Sequence, residues 1–104
     1  MSRLSRYEQE AARLAELPRA ERFASLLSFP LDFTFKVIGR GPDFWREVRQ
    51  LLDARGHEQV ILVERPSAHG RFCSITFSLH ITDADALDAY YGALQALPNL
   101  VYLL

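Results

Sequence analysis

The stretch FCSITFSLHI at residues 72–81 has the most regular alternation of apolar and polar side chains in the chain. A period of two places successive side chains on opposite faces of a β-strand. One face is therefore predicted to be buried and the other to be open. The predicted buried set is Cys73, Ile75, Phe77, Leu79 and Ile81, and the predicted open set is Phe72, Ser74, Thr76, Ser78 and His80.

A second alternating stretch lies upstream and predicts a half-buried strand from residue 31 to Gly39. Its apolar positions are Phe33, Phe35 and Val37, and its polar positions are Asp32, Thr34 and Lys36. Apolar residues at helical spacing predict a helix over residues 44–55, with Gly56 closing it. A strand is predicted at residues 59–64, and a turn follows at residues 66–70. A helix with Thr82 as its N-cap and a short strand at residues 100–104 complete the chain.

The predicted order of elements from residue 29 onward is βαββαβ. Right-handed crossovers then place both helices on one face of a four-stranded antiparallel sheet. The predicted fold is therefore α+β and ferredoxin-like, with the strand order 4-1-3-2. Residues 1–28 are predicted to be an N-terminal helical extension, and residues 29–104 the ferredoxin-like domain.

The extension carries thin apolar stripes over predicted helices at residues 4–17 and 19–27, including Tyr7, Leu14 and Phe23. Isolated helices of this length are marginal in water, so we expect them to dock. Two helices already cover one face of the sheet. The expected platform is therefore the open face or a second subunit, and a homodimer is slightly favoured.

Composition excludes several classes of protein. The 104 residues suffice for one domain, and 49 % hydrophobic with 24 % charged residues is ordinary for a globular chain. A net charge of −1 argues against a general nucleic-acid or polybasic membrane binder. The single cysteine, the lack of an apolar leader and the lack of a ~20-residue apolar run predict a cytoplasmic protein.

Three short motifs follow one another along the chain: Phe29-Pro30, then residues 33–39 (FTFKVIG), then residues 66–72 (PSAHGRF) with Ser74 after them. In this order and spacing they resemble the small bacterial YbeD-like family. Ala68 stands where that family commonly has Ser, and residues 1–25 are an addition to it. The resemblance implies a ferredoxin-like domain related to ACT regulatory domains and brings no established biochemical activity.

No catalytic or metal-binding arrangement is recognisable, so we expect no enzymatic activity, no cofactor and no metal. Cys73 is predicted to be a buried structural thiol, and the three histidines share no metal-ligand spacing. The open face lacks the aromatic residues on which RNA bases stack, with Phe72 as its one aromatic, which argues against RNA.

The best reading is a non-catalytic regulatory or protein-interaction module with an unidentified protein partner. The open face is predicted to be small and polar. It can be covered by a partner protein, a second subunit or the extension, or it can stay solvated. The candidate interaction residues lie on this face or in the motif loop. They are Lys36, Arg65, Pro66, Ser67, His69, Gly70, Arg71 and Ser74.

The alternative function is an ACT-like sensor that binds a metabolite at the turn after the first strand. The candidate turn residues are Gly39, Arg40, Gly41 and Asp43. Resemblance to ACT domains implies a glycine at position 43, so that a ligand can approach the backbone closely. Asp43 places a carboxylate there instead, which lowers the expectation of an amino-acid effector.

Overall fold

The computed structural model describes residues 5–104. The described elements follow one another as α1 (Arg6–Ala15), α2 (Arg19–Leu26), β1 (Leu31–Arg40), α3 (Phe44–Ala54), β2 (Val63–Pro66), β3 (Phe72–Ile81), α4 (Ala84–Gln95) and β4 (Leu100–Leu103). The sheet order is β2-β3-β1-β4, and every neighbouring pair is antiparallel. The predicted α+β, ferredoxin-like fold is confirmed, and so is the strand order.

The two alternating stretches form the central pair of strands, β1 and β3, which pair without interruption from Leu31↔Ile81 to Arg40↔Phe72. Their apolar positions face the helices, as the period of two predicted. Phe35 and Val37 are fully buried, and Phe33 is half-buried. Phe35 and Phe77 stack with ring centroids 5.2 Å apart at the middle of the pair. This apolar face of the sheet forms one side of the core.

Helices α3 and α4 cover the apolar face of the sheet. The core residues that they contribute are Phe44, Val48 and Leu52 from α3, and Leu87 and Leu94 from α4. Gly56 follows α3 with a φ of +82°, in agreement with its predicted place after the helix. The predicted N-cap of α4 is wrong by one residue. The Asp83 carboxylate, rather than Thr82, accepts a hydrogen bond from the Ala86 N–H at 2.8 Å.

The predicted strand at residues 59–64 is also shifted, because β2 begins only at Val63. The Arg49 guanidinium donates to the carbonyls of His57 and Val60 at 2.6 Å each. These carbonyls are therefore satisfied from α3 rather than by a ladder with β3. Val60 and Leu62 pack on the core, which keeps this segment out of the sheet until Val63.

The sheet has its full width only at one end. β2 pairs with β3 over residues 73–76 alone, and β4 pairs with β1 over residues 37–39 alone. Both outer strands therefore flank the end of the sheet where β1 finishes and β3 starts. Any broad surface on the open face must lie at that end.

The expectation that the extension docks on the open face is wrong for α2, which packs on α4, on the helix-bearing side. Arg19 Nε donates to the Asp88 carboxylate at 2.5 Å, and its guanidinium lies 5.5 Å from the Tyr91 ring centroid. Phe23 contacts the same ring at 5.1 Å. The open face consequently stays uncovered by α2. No helix among residues 5–104 has the length and apolar content needed to cross a bilayer.

Helix α1 presents its side chains to solvent, with Tyr7 exposed to 84 %. Ser5 caps it by accepting a hydrogen bond from the Glu8 N–H at 3.1 Å. The predicted start of this helix at Leu4 lies outside the described residues. The homodimer and the boundary at residue 28 stay predictions.

Candidate interaction site

The open face of the sheet is built by residues that pair with the polar side chains of β3. Paired residues on neighbouring strands point to the same face. Ser74 pairs with Ile38 on one side and Arg65 on the other, and Thr76 pairs with Lys36 and Val63 in the same way. Ile38 also pairs with Tyr102 of β4. The open-face residues at the wide end are Lys36, Ile38, Arg40, Val63, Arg65, Phe72, Ser74, Thr76 and Tyr102.

A shallow depression of about 380 Å³ lies in this wide end and is named here the loop-end depression. It brings together five of the residues that the sequence singled out for interaction. Its lining residues are Lys36, Ile38, Arg65, Pro66, Ser67, Phe72, Cys73 and Ser74. The strand motif at residues 33–39 and the loop motif at residues 66–72 therefore meet in space.

The loop at residues 67–71 closes the hairpin between β2 and β3, and all its residues are exposed. The Ser67 N–H donates to the Phe72 carbonyl at 2.7 Å, and its hydroxyl accepts from the Phe72 N–H at 3.2 Å. Gly70 has a φ of +68°, a conformation that favours glycine. Ser67 therefore shapes the turn, while the candidates His69, Gly70 and Arg71 lie outside the wall of the depression.

The wide end of the open face is basic. Within residues 5–104, Lys36, Arg40 and Arg65 form no ion pair with a carboxylate. Arg40 lies over the Phe72 ring, 5.4 Å from its centroid. Asp32 is the one side-chain carboxylate that β1 to β4 place on this face, and it accepts from His80 Nδ1 at 2.9 Å at the opposite end.

A second concave site, named here the helix-side notch, lies beside the Gly39–Asp43 turn and encloses about 220 Å³. Its walls include Gly41, Pro42, Trp45 and Glu64. Of the four candidate turn residues, the structure places only Gly41 in this wall. Arg40 points to the open face, and Asp43 lies 3.7 Å from Arg46 on α3.

Gly39 is a glycine for a packing reason. A Cβ on Gly39 would lie well inside 3.0 Å of the ring of Phe44, which is fully buried at the start of α3. The group that approaches the backbone of Gly39 closely is therefore the buried ring of Phe44. Nothing in the geometry of Gly39 calls for a ligand.

Cys73 lies at the boundary between the two concave sites, since it lines both. Burial, and then the negative charge of Glu64, raise the pKa of its thiol. A thiol with a raised pKa is a weak nucleophile at neutral pH. Across residues 5–104 no three His, Cys, Asp or Glu side chains come close enough to hold a metal ion.

The open face is less polar than predicted, because sequence reasoning missed Ile38, Val63 and Tyr102. It also assigned Arg40 to the turn rather than to this face. Tyr102 is 56 % exposed and is a second aromatic beside Phe72, and Val63 is 54 % exposed. Continued alternation of β1 to residue 40 is the signal that could have found Ile38 and Arg40. Tyr102 and Val63 had no such signal, because their faces depend on the register of the outer strands.

The fold and the site together define a small ferredoxin-like domain with a basic depression at one end of its open face. The chain matches the family described as "Protein of unknown function (DUF493)" over residues 24–104, and it belongs to that family. Its relatives are called UPF0250 proteins. The resemblance to the YbeD-like family is thereby confirmed.

Two relatives show the extent of this similarity. The chain is 34 % identical over 84 residues to a UPF0250 protein of Janthinobacterium sp., with 77 % of this chain and 91 % of that one covered. It is 30 % identical over 83 residues to a UPF0250 protein of Bordetella pertussis, with the same shares covered. The solution structure of protein HP0495 from H. pylori matches with a TM-score of 0.60 at 17 % identity, over 75 % of this chain and 85 % of that one. That likeness concerns the fold alone.

Proposed function

We propose that this protein is a non-catalytic module that binds another protein through the loop-end depression and thereby regulates it. The observation that carries the proposal is the meeting of the two sequence motifs at one concave surface. Apolar Ile38 and Phe72 lie there beside Lys36 and Arg65, whose charges have no partner within the described chain. An apolar centre with a charged rim is the usual composition of a protein interface.

The position of the extension supports this proposal. Helix α2 lies on α4, held by Arg19 and Phe23, so α2 leaves the depression open. A regulatory module needs such a free surface in the absence of its partner. The proposed setting is the bacterial cytoplasm, in agreement with the lone Cys73 thiol.

Affinity capture from a native cytoplasmic extract, with matched variants, tests the proposal. Ser74→Trp places a large side chain in the depression, because Ser74 lines it. Ser78→Trp is the control, since it makes the same change on the same strand and face about 13 Å away. We expect Ser74→Trp to abolish a capture that Ser78→Trp retains, with both variants folded by circular dichroism.

Equal capture by the wild type and both variants would contradict a role for the depression. Loss of capture in Ser78→Trp alone would move the interface to the other end of the open face. Either result would remove the loop-end depression as the docking surface.

The second candidate function is a small-molecule sensor that uses the helix-side notch. Trp45 favours it, because this aromatic side chain is 38 % exposed in the notch wall beside the Gly41 turn. Glu64 in the same wall disfavours a free carboxylate in the ligand. The ligand class that fits is therefore neutral or cationic and lacks the free carboxylate of an amino-acid effector.

Fluorescence of Trp45, the single tryptophan, reports directly on this notch. A panel of amino-acid amides and polyamines should change that emission if the chain is a sensor. A ligand at a hundred times its Kd adds about 2.7 kcal/mol to the free energy of unfolding, which thermal melting detects readily. Unchanged emission and melting across the panel would count against a sensor of these ligands.

A further inference from the structure

We propose that the partner presents an acidic, extended segment with an apolar anchor residue, and that this segment occupies the loop-end depression. The inference rests on the proposed function and gives the partner its chemistry. It follows from the distribution of charge over the chain, from the geometry of the depression, and from the aromatic residues of the open face.

The positive charge of the depression is local. The whole chain has a formal charge of −1, yet Lys36, Arg40 and Arg65 gather on the wide end of the open face. The carboxylate of Glu64 points to the other side of β2, because Glu64 pairs with the core residue Ile75. Among the side chains of β1 to β4, Asp32 is the carboxylate on the open face, and it lies about 13 Å along β1 from Lys36. An acidic partner is therefore the complementary one.

The two cations that line the depression stand on opposite sides of it. Lys36 is on β1 and Arg65 is on β2, with β3 between them, so their strands are about 10 Å apart. Ile38, Phe72 and the small side chain of Ser74 line the depression with them. An extended segment that crosses β3 can place one carboxylate at each cation and an apolar side chain between them, since side chains two positions apart share a face.

The aromatic residues favour a peptide over RNA. Single-stranded RNA binds to sheets through free aromatic faces on which bases stack. Phe72 is half-buried with Arg40 over its ring, which leaves Tyr102 as the remaining aromatic of the wide end. Phosphates would still be attracted by the cations, so an oligonucleotide belongs in the test.

The test measures fluorescence anisotropy of three labelled probes with the full chain. The first is a nonapeptide with Glu at alternate positions and a central Phe, and the second has Lys in place of Glu. The third is a nonamer of uridylate. We expect only the acidic peptide to bind, with an affinity that falls at least tenfold between 50 and 300 mM salt.

Charge reversal then assigns the site. The double variant K36E/R65E should bind the acidic peptide at least tenfold more weakly and should gain binding of the Lys peptide. The control variant R55E changes an exposed charge after α3, outside the lining of the depression, and should keep the wild-type preference. Equal binding of the two peptides, an unchanged affinity in K36E/R65E, or tighter binding of the uridylate would each overturn the inference.

Failure of the inference and failure of the proposed function give different results. Suppose Ser74→Trp abolishes protein capture while K36E/R65E captures the same protein as the wild type. The depression would then be the docking surface, and the partner would not be acidic. If Ser74→Trp itself captures normally, the proposed function fails together with the inference.

Discussion

Replacing Gly39 with alanine tests whether this glycine serves packing or ligand binding. The added Cβ would overlap the ring of Phe44, where carbon atoms ordinarily stay about 3.5–4.0 Å apart. Phe44 is fully buried between α3 and the sheet, so its ring has no open space to enter. Overpacking of a dense core costs about 1–3 kcal/mol. Because the overlap is with a ring held on all sides, we expect the upper value, about 3 kcal/mol.

Urea denaturation followed by circular dichroism measures this loss, which corresponds to a fall in Tm of roughly 12–24 °C for a domain of this size. The double variant Gly39→Ala/Phe44→Leu should cost less than the sum of its single changes, because the smaller side chain relieves the overlap. Gly41→Ala is the control. Its Cβ would meet nothing within 4 Å, so its cost comes from the φ of +89° and should simply add to that of Phe44→Leu.

A cost below about 0.5 kcal/mol for Gly39→Ala, or strict additivity with Phe44→Leu, would refute the packing explanation. The glycine would then have to be explained by an approach from outside the chain. The sensor hypothesis would gain support from that result.

Three further changes probe other parts of the structure. Phe35→Ala should lower the free energy of unfolding by about 3–5 kcal/mol, because Phe35 is fully buried. Thr34→Ala changes an exposed residue on the opposite face and should cost about 1 kcal/mol. Equal costs in denaturant titrations would show that the faces of β1 are reversed. Arg19→Ala should speed amide exchange in α2 while exchange in β1 and β3 stays slow, because Arg19 anchors α2 to Asp88. Unchanged exchange in α2 would contradict that anchoring role. Alkylation of Cys73 by iodoacetamide should reach half its maximal rate at a higher pH in the folded chain than in urea, because folding raises the pKa of this thiol. A lower half-maximal pH in the folded chain would contradict the burial argument.

The charge on the loop-end depression was only partly visible in the sequence. Lys36 and Arg65 could be singled out from their motifs, but their motifs are about thirty residues apart. Only the pairing of β1 and β2 with opposite sides of β3 brings them to one surface. The register also decides that β2 places no side-chain carboxylate on that surface, since a shift of one residue would turn Glu64 to the open face.

The sequence by itself determined the fold class, because alternation with a period of two in β1 and β3 and apolar stripes in α3 and α4 are local consequences of strand and helix geometry. Burial of Phe35, Val37, Ile75 and Phe77 could be predicted from that periodicity alone. The N-cap of α4 is a local hydrogen bond from the Ala86 N–H to Asp83. The start of β2 and the docking of α2, in contrast, were decided by side-chain contacts between separate elements. Arg49 donates hydrogen bonds to the carbonyls of the segment before β2, and Arg19 donates one to the carboxylate of Asp88. Such contacts leave no periodic signal in the chain, so only the tertiary structure could show which surface stays free.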